Sequence, residues 1–287
     1  MIRLIQHPVR VVAVLLAAAV ALLAQRGFRG GGGFGGFGFG PSEDDGPSPN
    51  FKTDTEFHFI RGEYTDSPNY RRGFGNVSRR GRANGWWAQD WPDADEHFTQ
   101  GVLRLTRIDA GDPRHLGFSD EKIFDNPWVY MTQTAYWSLT EKEISRMHEF
   151  LERGGFLVTD DFWGPYEWEV FQETMQRVLP NHAITDIALG DSVMHVLYNI
   201  EEKDLTYIPG TRHLRRGPGG QMVVQQQGNS PAWRAIYDDK QHMVVAINFN
   251  TDVGDAWEYA DSPLYPEAMT TLAYRYGINY VIYAMTH

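Results

Sequence analysis

The chain has 287 residues, a formal charge of −11 and no cysteine. The missing thiols exclude disulfides, thiolate metal sites, cysteine nucleophiles and lipid attachment through an N-terminal cysteine. Nonspecific nucleic-acid binding needs Lys and Arg to neutralise phosphates, so the acidic balance argues against a nucleic-acid partner.

At the N-terminus, Arg3, His7 and Arg10 lead into an apolar stretch at residues 11–24 (VVAVLLAAAVALLA). A short positive start and an apolar run of this kind mark a secretory signal. The run is short for a free-standing membrane helix of ~20 residues, although extension back to Pro8 would permit an uncleaved anchor. Export is expected either way, with the folded part periplasmic or anchored at the membrane outside the cytoplasm. Residues 1–24 contain two Arg and no acid, so cleavage would leave −11 − 2 = −13. Residues 25–54, with GFRGGGGFGGFGFG at 27–40, carry too much glycine for a packed core and read as a flexible linker. Residues 55–287 are rich in Trp, Tyr and Phe and long enough for one domain with a substantial core.

Within that domain, residues 56–60 are expected to form a first strand, and residues 93–107 a helix with acids in its first turn. WVYM at 128–131 suits a buried strand. The segment 138–141 (SLTE) then reads as a capping box opening a helix whose apolar positions are Ile144, Met147, Phe150 and Leu151. Gly154 and Gly155 stop that helix, and FLVT at 156–159 forms the next strand. Strand, helix and strand with short joints require a parallel pair. Pro165 and Glu167 open another helix, with Trp168, Phe171, Met175 and Leu179 along its face. Residues 232–237 and 242–248 flank a turn and read as a hairpin; Pro266 opens a last helix. Alternating strands and helices specify a three-layer α/β fold. Ligands in such sheets sit beyond the carboxyl ends of the strands, which brings Arg61, Glu63, Gln133, Asp160, Asp161 and Trp163 towards one edge.

Four segments, GWWAQDWPDADEHF at 85–98, GGFLVTDDFWG at 154–164, GDAWEY at 254–259 and GINYVIYAMTH at 277–287, together resemble a bacterial domain-of-unknown-function family. That family is placed by fold near the class I glutamine amidotransferases and the trehalose-utilisation-like proteins. The resemblance covers nearly all of residues 55–287. It implies a mostly parallel, flavodoxin-like (class I glutamine amidotransferase-like) sheet with helices on both faces and an added hairpin, and it implies no reaction. Amidotransferases carry their nucleophilic cysteine on a sharp turn after a strand, about where Asp160 and Asp161 stand here. Glutamine hydrolysis of that kind needs a thiolate, so the chain is not expected to be a glutaminase. Family members fused to membrane-embedded segments imply a membrane-associated protein assembly as one partner.

Asp160 and Asp161 are the leading catalytic candidates, since a carboxylate at a strand end can serve as base, nucleophile or metal ligand. Neighbouring strand residues point to opposite faces, so both reach one site only if the backbone turns there. The plainer alternative is that they accept hydrogen bonds from loop amides. His195 and His287 are further candidates, against the plainer role of structural histidines. Six arginines (61, 71, 72, 79, 80 and 82) against Glu63 and Asp66 give residues 61–82 a local charge of +4. Arg61, Arg79 and Arg80 would suit an anionic small molecule, or else pair with the protein's own acids. Trp86 and Trp87, near Asp90 and Asp93, would stack on a carbohydrate, or else simply bury area. The ten histidines show no zinc spacing, and Gly73, Gly75 and Gly81 make no nucleotide fingerprint, so neither metal nor cofactor is expected. The reading that results is a non-catalytic envelope domain binding a partner or small ligand at the strand ends. Its rival is a hydrolase of carbohydrate or another envelope substrate, working through Asp160 or Asp161.

Overall fold

The structure is a computed structural model, and it describes residues 50–68, 85–219, 222–225 and 230–287. The leader, most of the linker, and Arg79 and Arg80 lie outside those residues.

The architecture is mixed α/β around a seven-stranded sheet, consistent with a three-layer flavodoxin-like fold. The strands are β1 (Ile60–Glu63), β2 (Arg114–Gly117), β3 (Trp128–Thr132), β4 (Phe156–Asp160), β5 (Ile184–Asp186), β8 (Ala232–Tyr237) and β9 (Met243–Phe249). They run in the order β2-β1-β3-β4-β9-β8-β5. The first five in that order pair in parallel, and β8 pairs antiparallel with both β9 and β5. The expected hairpin therefore forms, with β9 as a central strand. Strands β6 (Leu214–Arg216) and β7 (Met222–Val224) make a separate small ladder.

β3, β4 and β9 are buried along their whole length, as apolar strands covered on both faces must be. Their side chains divide between two cores by simple alternation. On one face Val129, Met131, Leu157, Val245 and Ile247 meet Met147 and Phe150 of helix α2 (Glu141–Glu152), and Phe171 and Met175 of α3 (Gly164–Val178). On the other face Trp128 stacks on Phe98 of α1 (Asp93–Leu105), with centroids 6.0 Å apart. There too, Tyr130 packs against Trp257 of the short α4 (Val253–Glu258), and Phe156 against Tyr280 of α5 (Glu267–Thr286).

Two local expectations shift. The first strand begins at Ile60, because its ladder partners on β2 and β3 reach only residues 60–63; Phe57 makes a lone bridge to Ala110. The capping box stands two residues later than expected, at Thr140 and Glu143. Ser138 fits the same pattern, but its N–H donates to Thr65 O and ties the chain to the loop after β1. At the far end of α2, Gly154 takes a left-handed φ of 89°, and the amides of Gly154 and Gly155 return to Leu151 O and Phe150 O.

Candidate functional site

The carboxyl ends of β3, β4 and β9 share an unusual feature. Each strand is followed by a non-glycine residue in the left-handed region: Gln133 (φ 53°), Asp161 (φ 51°) and Asn250 (φ 57°). A non-glycine residue is strained there by ~1–2 kcal/mol, so the surroundings must hold it. They do so with main-chain bonds. Gln133 N–H donates to Asp160 O, Asp161 N–H to Thr251 O, and Asn250 N–H to Phe162 O, all at 3.1–3.2 Å.

The turn at Asp161 lets the two neighbouring acids serve one region. Asp160 Oδ2 accepts from Tyr130 Oη at 2.8 Å and from the amides of Val253 and Gly254 at 2.9 and 3.1 Å. Asp161 accepts from Gln133 Nε2, from Trp163 Nε1 at 2.5 Å, and from Arg212 Nη2 at 3.1 Å. The Arg212 guanidinium also lies 5.1 Å over the Trp163 ring, whose other neighbours are His213 and Tyr207.

Three more acids close in from other segments. Asp252 caps α4, its Oδ1 accepting from Asp255 N–H at 2.8 Å. Asp255 Oδ2 accepts from the amide and hydroxyl of Thr211 at 2.5 and 3.0 Å. Asp90, itself left-handed at φ 63°, arrives from the turn before α1 and accepts from Gln89 Nε2. All five acids are buried. Burial raises Asp90, Asp160, Asp161 and Asp252, and like charge adds to it. Asp160 is pushed up to about 8 by burial and then by Asp161. Asp161 rises to about 6 through burial, opposed by Arg212. Asp90 and Asp252 rise well above the usual carboxylate range, through burial and then through Asp255 and Asp161 respectively.

Of the residues singled out in the sequence, Asp160, Asp161, Gln133 and Trp163 come together here. Others do not. Arg61 is fully buried and forms a two-pronged ion pair with Asp95, so its guanidinium is committed inside the protein. Glu63 pairs with His115. Trp87 is a core residue, and Trp86 stacks on Tyr136 with centroids 4.3 Å apart. His195 bonds Leu189 O and Asn199 Oδ1. His287 stacks on Tyr283 and helps line a small cleft with Gly154, Phe156 and Met243, at the beginnings of β4 and β9. That is the opposite edge of the sheet from the acids. The imidazole that does touch the Asp161 group is His213, against Trp163.

Residues 74–285 match the family model described as Domain of unknown function (DUF4159). The chain belongs to that family. No curated protein matches it. The DUF4159 segment contains all five acids together with Gln133, Trp163 and Arg212. The family description carries no reaction, so the chemistry has to be read from the side chains themselves.

Tyr130, Arg212, Asp252 and Asp255 carry no local sequence signal that marks them as site residues. Asp252 and Asp255 look like an ordinary helix start, and Asp252 is indeed an N-cap. The signal that distinguishes them is the third acid, Asp90, which only the fold brings near. Arg212 sits in an irregular stretch between β5 and β6 without periodicity to place it.

Proposed function

We propose that this DUF4159 domain is a non-catalytic binding module of the amidotransferase-like superfamily, acting in the cell envelope and taking its ligand at the carboxyl edge of β3, β4 and β9. The observation that carries this reading is the imbalance of partners: among the described residues, five buried carboxylates converge on the edge and Arg212 pairs with one of them. In their ionised form carboxylates accept only, so the complementary ligand is positively charged or rich in donors, such as an amine or a polyol including a sugar, and its binding favours that form. Trp163 offers an aromatic face beside them, suited to either. The amidotransferase resemblance implies a thiol about where the left-handed turn at Asp161 stands, and the chain has none to put there. The charged start and apolar stretch before the linker support export.

A screen of the full chain by thermal shift, followed by calorimetry, tests the reading. Amines or polyols should raise the melting temperature, and phosphate and dicarboxylates should not. A ligand that binds only the native state adds ~2.7 kcal/mol at a hundred times its dissociation constant. Trp163→Ala should weaken the hit. Stabilisation by anions instead, lost in Arg212→Ala, would reverse the ligand class.

The hydrolase reading keeps one supporting observation. Asp160, raised to about 8, carries a proton at neutral pH and has the character of a general acid. Against it, the hydrogen bonds that Asp160 and Asp161 accept come from groups of the fold, and neither His195 nor His287 approaches them. Glycosidase and esterase substrates turned over by the native chain, and not by Asp160→Asn, would favour it.

A further inference from the structure

Asp90, Asp252 and Asp255 each present a carboxylate oxygen, and the three oxygens lie within 4.8 Å of one another. Acids in proximity do not by themselves make a site. Two further observations point to a ligand. Asp90 is 8 % exposed, and its Oδ2 has no hydrogen-bond partner among the described residues. That oxygen is aimed into the group: the point where a Cβ on Gly254 would stand is 2.9 Å from Asp90 Oδ2 and 3.6 Å from Asp252 Oδ1. Independently, Asp160 is not one of the three, yet its Oδ1 is also fully buried and unpartnered, while its Oδ2 holds the Gly254 amide. Two buried carboxylates next to Gly254 thus each carry an oxygen without a partner. A buried acceptor without a donor costs ~1–3 kcal/mol and calls for an explanation.

The nearby guanidinium groups do not supply one. Arg61 pairs with Asp95 through Nε and Nη2 while its Nη1 is buried without a partner, and Arg212 pairs with Asp161. Backbone crowds the group from two sides without side chains. Besides Gly254, Gly210 brings its Cα against the acids, its absent Cβ lying 2.6 Å from Asp252 Oδ2 and 3.3 Å from Asp255 Oδ2. An alanine at either position would push into the carboxylates.

We propose that Asp90, Asp252 and Asp255 bind one hard divalent cation, with calcium preferred. The proposal deepens the reading of a donor-seeking edge and rests on it. The donor set is all oxygen, which suits calcium, magnesium or manganese and not the softer metals. Calcium–oxygen bonds of about 2.3–2.6 Å set opposite ligands about 4.6–5.2 Å apart, so oxygens within 4.8 Å of one another are close enough to share one ion. Magnesium, with bonds of about 2.1 Å and near-ideal octahedral demands, is the more exacting guest for three carboxylates fixed by the fold.

Calorimetry on the full chain, stripped with EDTA and dialysed, decides it with calcium, magnesium and manganese chlorides as the probes and potassium chloride as the control. One calcium per chain is expected, tighter than magnesium, with an upward thermal shift. Asp90→Asn should weaken calcium by about tenfold or more. Asparagine tolerates the left-handed backbone that position requires, so this variant keeps its fold. Its melting temperature in EDTA should equal or exceed that of the native chain. Asp255→Asn provides a second variant with the same expected loss. If none of the three cations binds the native chain, or if both variants bind calcium as tightly as it does, the proposal is overturned. A chain that ignores all three cations yet binds an amine or polyol would retire the cation alone; one that ignores every probe would retire the donor-seeking edge as well.

Discussion

Arg61 and Asp95 show how a residue can look functional in sequence and be structural in the fold. The guanidinium stands 4.7 Å over the Tyr130 ring, with no solvent exposure on either partner of the ion pair. Burial opposes its charge, and Asp95 more than offsets that opposition. Removing the carboxylate leaves a buried cation with nothing to balance it. Asp95→Ala should therefore cost about 3–5 kcal/mol in denaturant unfolding, far more than an exposed pair such as Lys52–Asp109. His213 gives the matching pH prediction. Burial, then Arg212 and Arg215, hold its imidazole down at about 4. The unfolded chain, titrating near 6.5, binds more protons between those values. The stability His213 contributes is thus present above pH 6.5 and is lost as the pH falls towards 4. Unfolding curves at pH 7 and pH 4.5 should show the native chain losing of order 1–3 kcal/mol more than His213→Gln.

Among the elements, the capping box of α2 separates two serine/threonine residues that the sequence could not rank. Thr140 Oγ1 accepts from Glu143 N–H while Glu143 Oε2 accepts from Thr140 N–H, and Ser138 contributes a backbone bond only to the neighbouring loop. Thr140→Ala should destabilise by about 1 kcal/mol in thermal unfolding, and Ser138→Ala by less. Helix α5 depends instead on tertiary contact. Tyr276 stacks flat on Trp233 of β8 at 3.8 Å, and its hydroxyl donates to Asp204 O. Tyr276→Ala should cost about 3–5 kcal/mol by the same measurement, the range of a large aromatic truncated in a core. The strand–helix–strand unit at the centre was legible because its period and its stop signals are local. The start of β1 was not, since its ladder partners, β2 and β3, lie more than fifty residues away along the chain. No local pattern specifies where such a ladder begins.

For the molecule as a whole, the edge that gathers the acids follows from strand order. β9 inserts beside β4, so the stretches after β4 and β9 become neighbours although the whole of α3, β5 and the β6–β7 ladder intervenes in sequence. Asp160 and Asp161 could be read from the sequence because they end an apolar strand. Asp90, Asp252, Asp255 and Arg212 could not, because only the β4–β9 pairing and the packing of α1 against α4 bring them close. The three cross-tied turns at Gln133, Asp161 and Asn250 carry a last consequence. Main-chain bonds have already met the ordering entropy of those three turns, so the ligand proposed for that rim would meet a shape set beforehand and be selected by size and outline.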